Sequence, residues 1–317
     1  MISVIIPNYN HALFLDLRIN TILNQTFEDF EVIILDDCST DNSREVINQY
    51  RQHPKVSDIV FNEANSGSTF KQWLKGIQLA KGEWILIAES DDWSEPTLLE
   101  QLFEGTKKVP DVTLSFCQTL TVYENGALNY SGSITKYNVL HDGRQFIQNR
   151  IINSMGIATA GCALFRKDII AQMPDISAFK SSGDWKFWIV IASKGKVHES
   201  GKYLHYWRRH SNNTTTRPEL FFSKINELYV IFGWARDEGL ITAAKFKERC
   251  LFLVNFIYRD KLLDDPKASV FLQAVKADVA FPIAKVRFAG FCKRMYTAIN
   301  RFTKKKLLNV FMLNNYQ

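Results

Sequence analysis

Along the first ninety or so residues, short unbroken apolar runs alternate with stretches whose apolar positions recur every three or four residues. Residues 2–6, 31–35, 59–62 and 84–88 are runs of the first kind. Such runs mark strands covered on both faces, as in a parallel sheet. Between them, Leu15, Ile19, Ile22 and Leu23 share one helical face. A second helix is expected from Ser39 or Asp41 through Tyr50, and a third over 70–80. Asn10 stands where the first helix needs an N-cap. Strand and helix alternating at this spacing predict an α/β fold: a Rossmann-like, mostly parallel sheet with right-handed crossovers, flanked by helices.

Further along, the pattern predicts a helix over 95–107, a strand over 113–119 and a hairpin turn at Asn125-Gly126. A polar stretch over 131–154 holds a short helix after Asp142. A strand over 160–165 leads into a helix at Lys167, and Gly183-Asp184 opens an aromatic helix carrying Trp185, Phe187 and Trp188. A strand over 197–206 runs into Arg208-Arg209-His210. Beyond Pro218 the strand signals stop, and amphipathic helices are expected over 221–234 and 246–262. The chain thus divides into an α/β domain over 1–217, with halves 1–110 and 111–217, and a helical region over 218–317.

Composition narrows the setting. With 46% of its 317 residues hydrophobic, the chain can build a substantial core. No apolar run approaches the ~18–20 residues that span a bilayer. Met1 leads straight into a strand pattern, without a signal peptide, and the five cysteines are scattered, so a reducing cytoplasmic location is expected. The net charge of +6 is uneven: eight of the 39 basic residues lie beyond Val279, where there is no acid, leaving 31 bases against 33 acids elsewhere. A slightly acidic body argues against nucleic acid as a partner. If 285–306 is helical, Phe288, Phe291, Cys292, Met295, Ile299 and Phe302 share one face, and Arg287, Lys293, Arg294, Arg301, Lys304 and Lys305 the other. Such a helix suits an anionic membrane surface, here the inner face of the plasma membrane; packing on the body with a solvated basic face is the alternative.

The candidate chemistry gathers at strand ends. Asp36 and Asp37 follow the second strand, and Glu89, Asp91 and Asp92 follow the fourth. Parallel strands bring both groups to one edge, outside the strands' carboxyl ends, where open α/β sheets bind ligands. Neighbouring carboxylates repel unless a cation lies between them, and a divalent ion that also holds phosphate oxygens is the usual answer. The competing reading is a pair of acidic turns that cap the following helices.

In chain order, Ser3-Val4-Ile5-Ile6-Pro7-Asn8-Tyr9-Asn10, Gln25-Thr26-Phe27, Leu35-Asp36-Asp37-Cys38-Ser39-Thr40-Asp41, Gly82-Glu83 and Ser90-Asp91-Asp92 form a set. That set resembles the family 2 glycosyltransferases of GT-A fold, of the type that builds bacterial surface polysaccharides. The resemblance covers about residues 1–215. It implies a nucleotide-sugar donor (a UDP-sugar), Mn2+ or Mg2+, inversion at the anomeric carbon, and a saccharide acceptor that is lipid-linked. It also implies site roles. Pro7 and Tyr9 would pack on base and ribose, and Asp37, supported by Asp36, would accept the uracil N–H. Asp92 would bind the cation, and Asp91 would reach the ribose or the metal's waters.

Inversion by direct displacement needs one base to take the acceptor's proton. The family places it at the start of a helix in the second half of the domain, where Asp184 stands; an N-cap role is the alternative. Many relatives carry an arginine near the diphosphate in the helix before Gly-Glu. This chain has Lys71 there instead. His210, after two arginines, is a candidate for the metal or diphosphate, or a structural histidine. Two other classes compete with this reading. A nucleotidyltransferase would need a Gly-rich, basic phosphate loop near the first strand, and Pro7 to His11 is not one. A non-catalytic sugar- or membrane-binding module on the same fold is the other.

Overall fold

A computed structural model of the chain describes residues 1–131, 135–210, 218–259 and 262–279. The chain forms two compact units, Met1–Ile241 and Thr242–Gln317.

In the first unit β1 (Ile2–Asn8), α1 (Ala12–Leu23), β2 (Phe30–Asp36), α2 (Ser43–Asn48), β3 (Val56–Phe61), α3 (Thr69–Leu79) and β4 (Trp84–Ile87) alternate as expected. There follow β5 (Trp93–Ser94), α4 (Leu98–Thr106), β6 (Val112–Tyr123), β7 (Leu128–Ser131), β8 (Val139–Asp142), the short α5 (Gly143–Phe146) and α6 (Ile152–Ser154), β9 (Ala163–Arg166), α7 (Gly183–Ser193), β10 (Lys196–Arg209) and α8 (Phe221–Asp237). The sheet order is β3-β2-β1-β4-β9-β6-β10-β5. The strands β3, β2, β1 and β4 are parallel. Beyond β4 the sheet is mixed, because β9 enters antiparallel to both β4 and β6, while β10 runs parallel to β6. Every residue of β1, β2 and β4 is buried, which accounts for their unbroken apolar runs. The hairpin turn falls where Asn125-Gly126 predicts it, with Gly126 at φ +77° between β6 and β7.

Several residues of the ordered set hold this frame together. Ser3 Oγ takes the Gly82 amide (2.8 Å) and donates to Glu31 Oε1 (2.6 Å), binding the start of β4 to β1 and β2. Gln25 donates to the Glu95 carbonyl (2.8 Å) and accepts the Leu99 amide (2.9 Å), tying the end of α1 to the start of α4.

Capping differs from expectation at Asn10. It adopts φ 56° and accepts the Thr40 amide (2.7 Å), so it does not cap α1. Asp41 reaches across to the Ala12 amide (2.9 Å) and also accepts the Ser43 amide (3.0 Å), serving both helices from one side chain. Asp142 does cap its short helix, accepting the Gln145 amide (3.0 Å).

The boundary expected at 217/218 falls inside the first unit, because α8 belongs to it. In the second unit α9 (Ala243–Arg259) and α10 (Pro266–Asp278) are described. Among the described residues no helix is long and apolar enough to cross a membrane. The basic tail over 285–306 lies outside the described residues.

Candidate active site

The turn after β4 splits its acids between two surroundings. Asp91 shares the outer part of the site with two histidines. His210 Nε2 is 3.1 Å from Asp91 Oδ2, and the ligand atoms of His11, Asp91 and His210 all lie within 4.8 Å of one another. His11 Nδ1 bonds Ser90 Oγ (2.8 Å), and its ring stands edge-on to His210 at 5.8 Å. Burial raises the Asp91 carboxyl, but the bond from His210 and the charge of His11 outweigh it and hold the group below its ordinary range.

Asp92 points inward. It is 1% exposed, its Oδ1 accepts the Arg208 amide (2.9 Å), and its Oδ2 lies 3.5 Å from the fully buried His205. Glu89 is beside it, with Oε1 on the Ala160 amide (2.9 Å) and Oε2 on the Gly161 amide (2.7 Å). Burial pushes Glu89 up to about 7 and Asp92 well above the carboxylate range, the latter aided by the charges of Asp91 and Glu89. Burial and the charge of Arg18 keep His205 well below its ordinary value, hence neutral.

The countercharge for this inner cluster is Arg18. It lies on the same α1 face as Leu15, Ile19 and Ile22 and is fully buried. Its Nε, Nη1 and Nη2 have no hydrogen-bond partner among the described residues, yet Asp92, Glu89 and Asp91 all act on its charge. A buried guanidinium costs several kcal/mol unless opposite charges offset it. Gly161 leaves the room: a Cβ there would stand 2.5 Å from His205 Nε2, 2.8 Å from Arg18 Nη2 and 2.9 Å from Glu89 Oε2.

Arg208 lines the outer part. Its guanidinium sits 4.7 Å from the Phe14 ring centre and 4.5 Å from that of Trp93, and Nε donates to the Asp91 carbonyl (2.9 Å). Trp93 in turn stacks on Tyr206 at 5.1 Å and 4°.

At the end of β2, Asp36 is held by Asn8 Nδ2 (2.8 Å) and by the amide (3.0 Å) and hydroxyl (2.5 Å) of Ser39. Asp37 Oδ1 accepts from Asn62 (2.6 Å), the Ser66 amide (2.9 Å) and Gln72 (2.9 Å). Its Oδ2 takes one bond among the described residues, from Ser66 Oγ (2.8 Å). Pro7 is buried in β1, whereas Tyr9, just beyond its end, is 46% exposed. Lys71 Nζ donates to the Ser66 carbonyl (3.2 Å), on the Asp37 side of the site.

Asp184 is the second residue of α7. Its Oδ1 accepts the Trp185 amide (2.9 Å). The residue is partly exposed, but its surroundings bury the carboxyl enough to push it up to about 7 against the pull of that amide and of Lys224. Glu89 is among the charges that act on it.

The match to known sequences bears on this arrangement. The glycosyl transferase family 2 model matches residues 3–173, more than half of the chain. The chain belongs to glycosyl transferase family 2. Asp184 and His210 lie beyond the matched segment. An uncharacterized glycosyltransferase of Nostoc sp. is 28% identical over 220 residues, covering 67% of this chain and 66% of that protein. The Staphylococcus aureus poly(ribitol-phosphate) beta-N-acetylglucosaminyltransferase TarS is 37% identical over 95 residues, 29% of this chain and 16% of TarS. The chain thus spans less than two thirds of the length of these relatives. The crystal structure of TarS 1–349 in complex with UDP-GlcNAc superposes with a TM-score of 0.67 at 20% identity, over 88% of this chain and 81% of that one. A mannosyltransferase of Pyrobaculum calidifontis in complex with GDP-Man and Mn2+ gives 0.57 at 16%, over 96% and 83%. These likenesses establish the GT-A type fold for this chain.

Sequence reasoning missed Arg18, His11, His205 and Arg208. His11 was legible in part, following the Pro7-Asn8-Tyr9-Asn10 turn at the edge where the acids gather. Arg18 was not, because its helical face is otherwise apolar.

Proposed function

We propose that this glycosyltransferase moves a sugar, with inversion, from a UDP-sugar to a saccharide acceptor in cell-surface polysaccharide synthesis. The observation that carries the reading is the pairing of Asp91 with His210 outside the carboxyl end of β4, with Asp184 at the start of α7. The curated relatives of surface-polymer synthesis and the fold of a UDP-GlcNAc-bound neighbour support donor and pathway.

The donor set fits a divalent ion. Two ligands of one octahedral ion at ~2.1 Å stand about 3 Å apart, and Asp91 Oδ2 and His210 Nε2 are 3.1 Å apart. One carboxylate with imidazoles suits Mn2+ better than Mg2+, which prefers oxygen. Asp91 and His210 would hold the ion, with His11 behind them. Asp92, which the sequence reading gave the cation, turns inward: its Oδ1 anchors the Arg208 amide, and its ligand atoms group within 4.8 Å with those of Glu89 and His205, away from the outer site. When bound, the ion neutralises charge on the departing nucleoside diphosphate. Arg208, clamped between two rings, adds fixed positive charge beside Asp91, while Lys71 donates to the Ser66 carbonyl on the Asp37 side of the site.

Asp37 Oδ2 keeps a lone pair for a base N–H, and Tyr9 offers its ring to the nucleoside. Asp184 accepts the proton of the acceptor hydroxyl as that oxygen bonds to the anomeric carbon and the bond to the diphosphate breaks. A carboxyl that titrates near 7 suits a general base at neutral pH. The acceptor is lipid-linked in this reading, and the basic tail holds the enzyme at an anionic leaflet. Calorimetry of UDP binding with and without Mn2+ tests the donor site, and UDP release from UDP-sugars tests the reaction; UDP affinity indifferent to Mn2+ overturns the metal reading.

A further inference from the structure

The turn that carries Asp184 is not held by its own residues. Ser182 occupies the N-cap position of α7, yet its hydroxyl is buried and makes no hydrogen bond among the described residues. Gly183 presses against α3, where a Cβ would stand 2.8 Å from the Phe70 ring. The amides just before the helix are taken by a side chain from another element. Glu227 of α8 accepts the Lys180 amide at Oε1 (2.9 Å) and those of Ser181 (3.0 Å) and Ser182 (2.7 Å) at Oε2. Ser223 Oγ, one helical turn earlier, donates to Oε1 (3.0 Å) and fixes the carboxylate.

The grip extends along α7. The Trp185 ring meets Phe232 edge-on at 5.7 Å, and Lys186 Nζ lies over Trp234 at 5.2 Å. Lys224, on the same helix as Glu227, is the cation that acts on the Asp184 carboxyl. One helix therefore supplies the anchor of the turn, the packing behind it and a positive charge that acts on the acid.

We propose that Glu227 is the positioning residue for Asp184, holding the 180–182 turn so that the Asp184 carboxylate is aimed at the acceptor hydroxyl. This rests on the reading of Asp184 as the base. The role needs a carboxylate, because each oxygen accepts from the turn. A glutamine presents one acceptor and one donor, so one end of the turn meets an N–H instead of an oxygen. Charge-assisted bonds of this kind are about twice as strong as neutral ones.

The test uses the full chain, with UDP release from UDP-glucose or UDP-N-acetylglucosamine, whichever the wild type turns over faster. Three variants are compared: Glu227→Gln, Glu227→Asp and Asp184→Asn. Glu227→Gln is expected to lower kcat at least tenfold with donor KM within about twofold. The acid limb of its rate profile shifts to lower pH, because a loosened Asp184 becomes better solvated. Hydrogen exchange at 180–182 quickens while the rest of the sheet stays protected. Glu227→Asp, which keeps both acceptors, regains most of the rate. If Asp184→Asn is inactive but Glu227→Gln keeps wild-type kcat and pH profile, the inference is overturned and the base reading stands. If Asp184→Asn retains the wild-type rate, the base reading falls and the inference with it. A Glu227→Gln enzyme that loses rate with an unmoved acid limb, and is not rescued by aspartate, also overturns it, since that pattern is general destabilisation.

Discussion

His210 Nε2 stands 3.1 Å from Asp91 Oδ2, joining the end of β10 to the turn after β4 across 119 positions of chain. The next acid, Asp92, faces the other way, onto the Arg208 amide and His205. This division of a two-residue acidic pair assigns different consequences to each. Asp91→Asn and His210→Ala are expected to remove the Mn2+ dependence of UDP binding, with at least a tenfold loss of affinity in the presence of the ion. Asp92→Asn keeps the dependence. Calorimetry with UDP and Mn2+ decides, and the opposite ranking returns the ion to Asp92.

Asp184 is partly protonated near neutrality, so its pH behaviour has a definite sign. Transfer needs the ionised form, so the rate should fall as pH drops through about 7. Asp184→Asn should lose nearly all transfer while binding UDP as the wild type does. Stability runs the other way. The unfolded aspartate ionises near pH ~4, whereas the folded one keeps its proton up to about 7. Folding is thus favoured on the acid side of that window, and its contribution is lost as pH rises through it. Asp184→Asn should flatten the slope of unfolding free energy between pH 5 and 8, measured by urea titration. An unchanged slope would mean that the carboxyl titrates normally.

Among the described residues, the fully buried Arg18 is a positive charge that acts on Glu89 and on the buried Asp92, beside the buried His205. Arg18→Met keeps much of its volume but strands the two acids. A loss of about 3–5 kcal/mol is expected, the usual cost of breaking a buried charge cluster. The loss should shrink at pH 5, where both carboxyls, already raised by burial, take up protons more readily. Chemical denaturation at two pH values checks this; equal losses at both would remove the electrostatic explanation.

Six bases face one way if 285–306 is helical, and each contributes on the order of 1 kcal/mol near an anionic leaflet. The full chain should co-sediment with phosphatidylserine vesicles, less so at high salt. Replacing Lys293, Arg294, Arg301 and Lys304 by glutamate should release it without changing donor hydrolysis. Indifference of the wild type to such vesicles would favour packing of this segment on protein.

Much of the first half was legible in the chain itself. Unbroken apolar runs specify doubly covered strands, and their alternation with helices admits essentially one handedness of crossover. That places Asp37 and Asp91 on the same edge before any coordinates exist. The end of β1, the Ser3–Gly82 contact and the Gln25 bridge follow from local chemistry that recurs as short patterns. What the sequence could not decide was direction and company. Adjacent acids read alike along a chain, but an inward or outward turn depends on what lies behind it, here Arg18, Gly161 and β10. Those partners are 70 to 120 residues away or sit in a stripe that reads as core. The same holds for Asp184, whose shifted carboxyl and anchored turn depend on α8, a helix that amphipathic spacing assigned to a separate region. Burial sets the protonation of these groups, and burial is a property of the assembled fold.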